Sequence, residues 1–290
     1  MSAMPDAAVS DGAAPPARRA GDGPLARRLL IGTALLLTLL FLVAPILVIL
    51  ARAFSAGPGT YVANIVHPET LHAIGLTLLT VAIVLPVNLL FGLAAAWAIT
   101  KFRFRGKRLL IAVIEVPFSI SPIVAGTIYL FLYGSQGLLG PWLMAHDLQV
   151  MVSFPAIVLV SLFVTSPFVA RELITLMQAQ GTEEEEAGLT LGASGMQVFW
   201  RITLPNIRWG LLYGAILCTA RTMGEFGAVS VVSGNIRGQT NTLPLQIELL
   251  YNDYNAVGAF AAATVLTLLA LVTVAAKAWL EWHVQGPQRA

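Results

Sequence analysis

Residues 178–205 read QAQGTEEEEAGLTLGASGMQVFWRITLP, a polar stretch set between two apolar ones near Val150 to Leu173 and Trp209 to Val232. Its spacing specifies two short helices. Thr182 followed three residues later by Glu185 has the form of a capping box, in which a hydroxyl and a carboxylate satisfy free backbone N–H groups at a helix start. Glu183 to Glu186 then fill the first turn, where the helix dipole favours negative charge. Gly192 suits the left-handed residue that ends such a helix. Ser194 with Gln197 opens a second capping box, and Pro205 is placed to stop the second helix. Leu189, Leu191, Phe199 and Trp200 have no core of their own in so short a loop, and they predict a docking surface for another protein.

Outward from this loop the chain is apolar. Its 290 residues carry 17 Lys and Arg against 15 Asp and Glu, a formal charge of +2. Charged residues are 11% and AVILMFWYC residues 57%, with mean hydropathy +0.78. Ordinary globular domains hold about 25% charged residues. A soluble domain cannot hide this much apolar surface, which argues against a soluble enzyme, a disordered chain or a basic nucleic-acid binder and for an integral membrane protein. The single cysteine, Cys218, excludes a disulfide scaffold and a multi-cysteine metal site.

Six apolar stretches are long enough to be read as spans: Leu29 to Leu50, Leu71 to Ile99, Leu109 to Tyr133, Val150 to Leu173, Trp209 to Val232 and Ala256 to Leu280. The first follows Arg27 and Arg28; it is too long for a signal peptide and no clear cleavage pattern follows, so it reads as a retained span. Residues 1–26 have no apolar period and read as a disordered tail. The expected organisation is therefore a cytoplasmic tail at 1–26, a transmembrane domain at 27–283 that carries the loop 179–208, and a short tail at 284–290. With both termini cytoplasmic, 14 of the 17 Lys and Arg fall on the cytoplasmic side, leaving Arg52 and Arg237 outside and Arg221 within a span. Positive residues resist translocation, which fixes an N-in, C-in orientation. Pro86, Pro117, Pro122, Gly126, Pro155 and Pro167 interrupt the spans; either bent helices line a substrate path or the kinks serve packing.

The order Glu186-Ala187-Gly188, three residues, Gly192, nine residues, Ile202-Thr203-Leu204-Pro205 resembles the EAA loop of bacterial ABC-importer permeases, with Gly188 in place of the second alanine. The resemblance implies an all-α integral membrane fold of six transmembrane helices, the type I (MetI-like) importer class. It also implies that this loop is a coupling helix that docks in a groove of an ATPase subunit. Glu186, Ala187, Gly188, Gly192, Ile202, Leu204 and Pro205 would then form the coupling site. Glycine at 188 should loosen the first helix by about 0.5–1 kcal/mol. Longer segments, including Ser121 to Gly126, Gly224 to Gly238 and Leu243 to Leu250, resemble the sulfate/thiosulfate permease family, and the likeness runs from about Leu29 to Trp282. It implies sulfate or thiosulfate as substrate and a location in the bacterial inner membrane, among lipid and not nucleic acid. The implied partners are a homologous second permease subunit, two copies of an ABC ATPase and a periplasmic sulfate/thiosulfate-binding protein. ATP and Mg belong to the ATPase partner, with no cofactor on this chain. Molybdate permeases share the Arg221, Gly224-Glu225-Phe226-Gly227 pattern, so molybdate is the competing substrate.

Arg221 and Glu225 fall one turn apart inside the fifth span. Charge in hydrocarbon costs at least about 2.5 kcal/mol and marks function by default. Two readings stand: Arg221 on a polar path for a divalent oxyanion with Glu225 holding it in place, or a mutually neutral pair that serves helix packing. Arg237 reads either as a receptor contact or as a solvated loop charge, and Glu115, Arg171 and Glu172 as candidates for interhelical pairs. The only Gly-Lys, Gly106-Lys107, lacks the rest of a phosphate-binding loop, so ATP is expected on a separate chain. His67, His72, His146 and His283 show no ligand spacing, and no catalytic site or metal site is expected. A carrier driven by protons or sodium is the rival class. It would gather carboxylates at mid-membrane, where Glu225 stands nearly alone beside Arg221.

Overall fold

The structure, a computed structural model, describes residues 24–285. The expected tails lie outside those residues, apart from 24–26 and 284–285, which are helical. Two compact units divide the chain, residues 1–48 and 49–290. In the first, α1 (Pro24–Thr38) runs into a π turn (Leu39–Val43) and the start of α2 (Ala44–Ala53).

The second unit contains the end of α2 and twelve further helices. These are α3 (Pro58–Ile65), α4 (Pro68–Lys101), α5 (Lys107–Ser119), α6 (Pro122–Tyr133), α7 (Gly140–Ala145), α8 (Phe154–Gln180), α9 (Glu183–Thr190), α10 (Gly195–Val198), α11 (Leu204–Met223), α12 (Gly227–Val232), α13 (Leu243–Asn252) and α14 (Ala256–Gln285). No strand forms among the described residues. Proline stands in the first turn of α3, α4, α6, α7, α8 and α13. There its missing N–H costs no helical bond and its fixed φ favours the helical start. Pro122 and Pro155 are therefore helix starts, whereas Pro86, Pro117 and Pro167 lie inside α4, α5 and α8.

Among the described residues, four helical stretches are long and apolar enough to cross a membrane: Leu25–Ala53, Pro68–Lys101, Phe154–Gln180 and Ala256–Trp282. The stretch expected as the third span is two helices, α5 and α6, that meet at 109° and count as a fifth crossing if taken together. The stretch expected as the fifth span is interrupted after Met223 and resumes as α12.

The centre of the second unit is α4 against α8 and α11. Buried positions of α4 recur every three or four residues, Thr70, Ala73, Thr77, Thr80, Val84, Asn88, Gly92, Ala95 and Ile99, so one stripe of small and hydroxyl-bearing residues faces inward. Without an apolar solvent-exclusion force between helices in lipid, close backbone approach supplies the packing energy. Val169 of α8 occupies that approach, between Gly92 of α4 and Gly214 of α11. Asn88 Nδ2 donates to Thr165 Oγ1 (2.7 Å) and reaches Cys218 Sγ (3.7 Å), which joins the same three helices through a polar contact. Gly126 gives α6 a similar close contact with Ala228 of α12.

Thr240 to Gln246 are all buried, although they follow an exposed loop. Leu243 N–H donates to Thr77 Oγ1 of α4 (2.8 Å), and Leu245 joins a core with Leu76, Val160, Val164 and Val229. The chain thus re-enters the bundle here before α13.

Candidate functional site

Two groups of residues qualify, and they lie at different places on α11. The first is the loop between α8 and α11. α8 ends at Gly181, whose φ of +75° suits glycine. α9 follows with Glu183, Glu184, Glu185 and Glu186 in its first turn. The expected Thr182/Glu185 capping box does not form. Glu185 is held instead by Lys101 Nζ at 2.7 Å and by the Thr203 hydroxyl at 2.6 Å. A charge-assisted bond to an ammonium is stronger than one to a backbone N–H, so the carboxylate turns away from its own helix. The Thr182 hydroxyl donates to Glu186 Oε1 (2.7 Å).

Gly192 closes α9 with φ +87°. Ala193 N–H donates to Gly188 O and Gly192 N–H to Leu189 O, the paired pattern of a left-handed helix end that satisfies the last carbonyls. Ser194 and Gln197 form the expected capping box at α10, each side chain bonded to the other's backbone N–H. Pro205 does not stop this second helix. α10 continues through a π turn, Phe199–Thr203, into α11, with Leu204 N–H donating to Phe199 O. Proline at 205 removes the donor for the Arg201 carbonyl and crowds it, and the wider π turn absorbs the misfit. Pro45 stands in the same relation to the π turn Leu39–Val43, where Ala44 N–H donates to Leu39 O.

The remaining residues of the loop lie before, within and after that π turn. Glu186 and Ala187 are exposed on α9. Gly188 faces Ile202, whose δ-methyl would stand 2.7 Å from a Cβ at 188. The alanine-to-glycine departure therefore makes room for Ile202. Ile202 and Leu204 are half-buried and Pro205 is exposed. Leu191 is 89% exposed and Trp200 59%, with Leu189 and Met196 also open. Phe199 does not share that surface, because its ring packs on Trp97 of α4 at 4.8 Å between centroids.

Lys101 and Asn206 join the site without any local sequence signal, together with Glu184 and Thr203 of the loop. Lys101 Nζ also donates to Gly181 O (2.8 Å), and Asn206 of α11 donates to Glu184. Gln180 Nε2 donates to Asn206 O (3.1 Å). A cavity of about 280 Å³ opens among these groups.

The second group is Arg221 and Glu225. Arg221 Nη1 lies 2.6 Å from Glu225 Oε2, a charge contact without the alignment of a hydrogen bond. Glu225 Oε1 accepts from Ala228 N–H (3.0 Å) and so caps the start of α12. The carboxylate is 1% exposed and the guanidinium side chain 31%, which places the pair at the break between α11 and α12 with only the cation reaching open space. Of the other charges, Arg237 pairs with Asp253 (2.6 Å) on the surface, Arg171 lies over the Phe118 ring of α5, and Glu115 is exposed.

A family model described as the binding-protein-dependent transport system inner membrane component matches residues 88–285, which take in both groups. The chain belongs to this family. Relatives of this permease component include the sulfate transport system permease protein CysW of Escherichia coli (strain K12), 52% identical over 260 residues, 90% of this chain and 89% of that one. CysW of Synechocystis sp. is 47% identical over 253 residues, 87% of this chain and 92% of that one. The sulfate transport system permease protein CysT of E. coli (strain K12) is 34% identical over 242 residues, 83% of this chain and 87% of that one. Among solved structures, a chain of a bacterial alginate ABC transporter in complex with an alginate pentasaccharide-bound periplasmic protein superposes with a TM-score of 0.74. It is 18% identical and covers 90% of this permease component and 96% of that chain, a likeness of fold.

Proposed function

We propose that this chain is one permease subunit of an ATP-driven importer that carries sulfate and thiosulfate across the bacterial inner membrane. The 52% identity to a sulfate permease over nine-tenths of both chains carries the substrate class. The subunit is half of a pore. A homologous CysT-like permease forms the other half, two copies of an ATPase dock on the loops, and a periplasmic receptor delivers the anion. The weaker match to CysT supports a distinct second permease.

Six crossings with both termini cytoplasmic account for the distribution of Lys and Arg, with α5 and α6 as the third crossing and α11 and α12 as the fifth. The loop 179–208 then faces the ATPase, and Leu189, Leu191 and Trp200 are the apolar residues it offers. ATP binding closes the ATPases and moves α9 and α10, which switches the pore from inward-open to outward-open; hydrolysis resets it. Arg221, on the polar side of the break after Met223, meets the anion in passage, and Glu225 holds the guanidinium so that it does not trap its ligand.

Labelled-sulfate uptake in cells lacking only this gene, with and without re-expression, tests the assignment. Restored uptake that excess thiosulfate blocks supports it. Sulfate uptake untouched by the deletion, with molybdate uptake lost, moves the substrate to molybdate. Uptake that survives loss of the ATPase and collapses with an uncoupler replaces the importer by an ion-coupled carrier.

A further inference from the structure

Lys101 is the last residue of α4, and its ammonium meets two elements directly and a third through Glu185. It lies 2.7 Å from Glu185 of α9 and donates to Gly181 O at the end of α8 (2.8 Å). The same Glu185 accepts from Thr203 in the π turn that leads into α11. The ammonium and carboxylate side chains are only 11% and 15% exposed, so water and salt screen the pair less than a surface ion pair. The Lys101 ammonium also stands at the carbonyl end of α8, where the helix dipole favours a cation.

We infer that the Lys101–Glu185 pair is a positioning clamp through which displacement of α9 by the ATPase is delivered to α4. Covalent linkage gives α9 a direct path to α8 through Gly181 and Thr182, and the π turn gives one to α11. α4 has no such chain connection, and its inner stripe packs on α8 along its length. A helix that slid on its small-residue stripe would let the docking helices move without it. The ion pair, with Trp97 on Phe199 beside it, removes that freedom at the end where the force enters. The clamp rests on the ATPase-coupling reading of the loop.

Purified complexes carrying Lys101→Met, Glu185→Gln, both together, or Lys101→Arg test it in vesicles with the receptor. The readout is sulfate imported per ATP hydrolysed. Each neutralising single variant is expected to keep its ATPase bound and hydrolysing while that ratio falls about tenfold, equivalent to about 1.4 kcal/mol of lost coupling. The double variant falls no further than either single one, and Lys101→Arg restores the ratio. A purely structural role predicts parallel loss of assembly, hydrolysis and import with the ratio unchanged. That result, or additive losses in the double variant, overturns the clamp. A wild-type complex that hydrolyses ATP without importing sulfate instead overturns the functional reading.

Discussion

Gly92 of α4 and Val169 of α8 meet so closely that a Cβ at 92 would stand 2.6 Å from Val169 Cγ1 and 2.9 Å from the Ala170 backbone nitrogen. Relief of that clash needs movement of helix backbone, not only of a side-chain tip. Overpacking of this kind costs about 1–3 kcal/mol. Gly92→Ala is therefore expected to lower the thermal midpoint of the purified permease complex and its yield, against only about 1 kcal/mol that alanine returns in helix propensity. A midpoint equal to or above wild type would show that α4 and α8 are farther apart in the assembled membrane protein.

Gly188 provides the opposite balance at a similar nominal distance. The obstacle there is the δ-methyl of Ile202, the end of a flexible side chain, with Val198 next at 3.5 Å. A small rotation of Ile202 clears the space, while alanine in α9 gains about 0.5–1 kcal/mol of propensity. Gly188→Ala is expected to leave uptake within about twofold of wild type and stability equal or slightly higher. A loss as large as that of Gly92→Ala, measured by the same melting assay, would refute this account of the glycine.

Local chemistry made part of this site legible and long-range chemistry hid the rest. Gly192 and the Ser194/Gln197 box depend on groups within five residues, so their spacing alone specified the turn and the helix start. Glu185 had the right spacing for a cap and took a different partner, because Lys101 arrives from another helix and offers a full charge. Apolar run length located the long apolar helices, but averaging over a run cannot see the bend at Ile120-Ser121 or the break at Gly224 to Phe226. Thr240 to Thr242 carry no local signal for burial; they are buried where the Leu243 N–H donates to Thr77 Oγ1 of α4.

The Arg221–Glu225 pair separates packing from passage through a double substitution. Removing one partner of a buried pair costs about 3–5 kcal/mol because the other charge is left uncompensated. Arg221→Gln strands a carboxylate that is 1% exposed, whereas Glu225→Gln leaves a cation that still reaches open space. Assembly should therefore suffer more in Arg221→Gln, with the penalty toward the lower end given the partial exposure of the arginine. The double variant Arg221→Gln/Glu225→Gln removes both charges and is expected to recover assembly, measured as complex purified from membranes. If Arg221 meets the anion, uptake stays abolished in that double variant; uptake that returns with assembly assigns the pair to packing alone.

Leu191 and Phe199, both apolar residues of the loop 179–208, should fail in different ways. Leu191 is almost fully exposed, so Leu191→Asp removes no contact within the subunit and is expected to change its stability by less than about 0.5 kcal/mol. If Leu191 is an anchor in the ATPase groove, the same change weakens docking by about 2 kcal/mol, roughly thirtyfold in affinity, and the ATPase no longer co-purifies. Trp200→Ala should weaken docking likewise, but its ring meets Phe199 at 5.4 Å between centroids, so it also lowers the melting temperature slightly. Phe199→Ala instead empties the space against Trp97, where an aromatic pair contributes about 0.5–1.5 kcal/mol beyond its buried area. Its expected signature is a lower melting temperature of the isolated permease pair, seen before any ATPase is added. Intact co-purification in both Leu191→Asp and Trp200→Ala would place the ATPase contact elsewhere on the loop, where Glu186, Ala187, Leu189 and Met196 are also exposed.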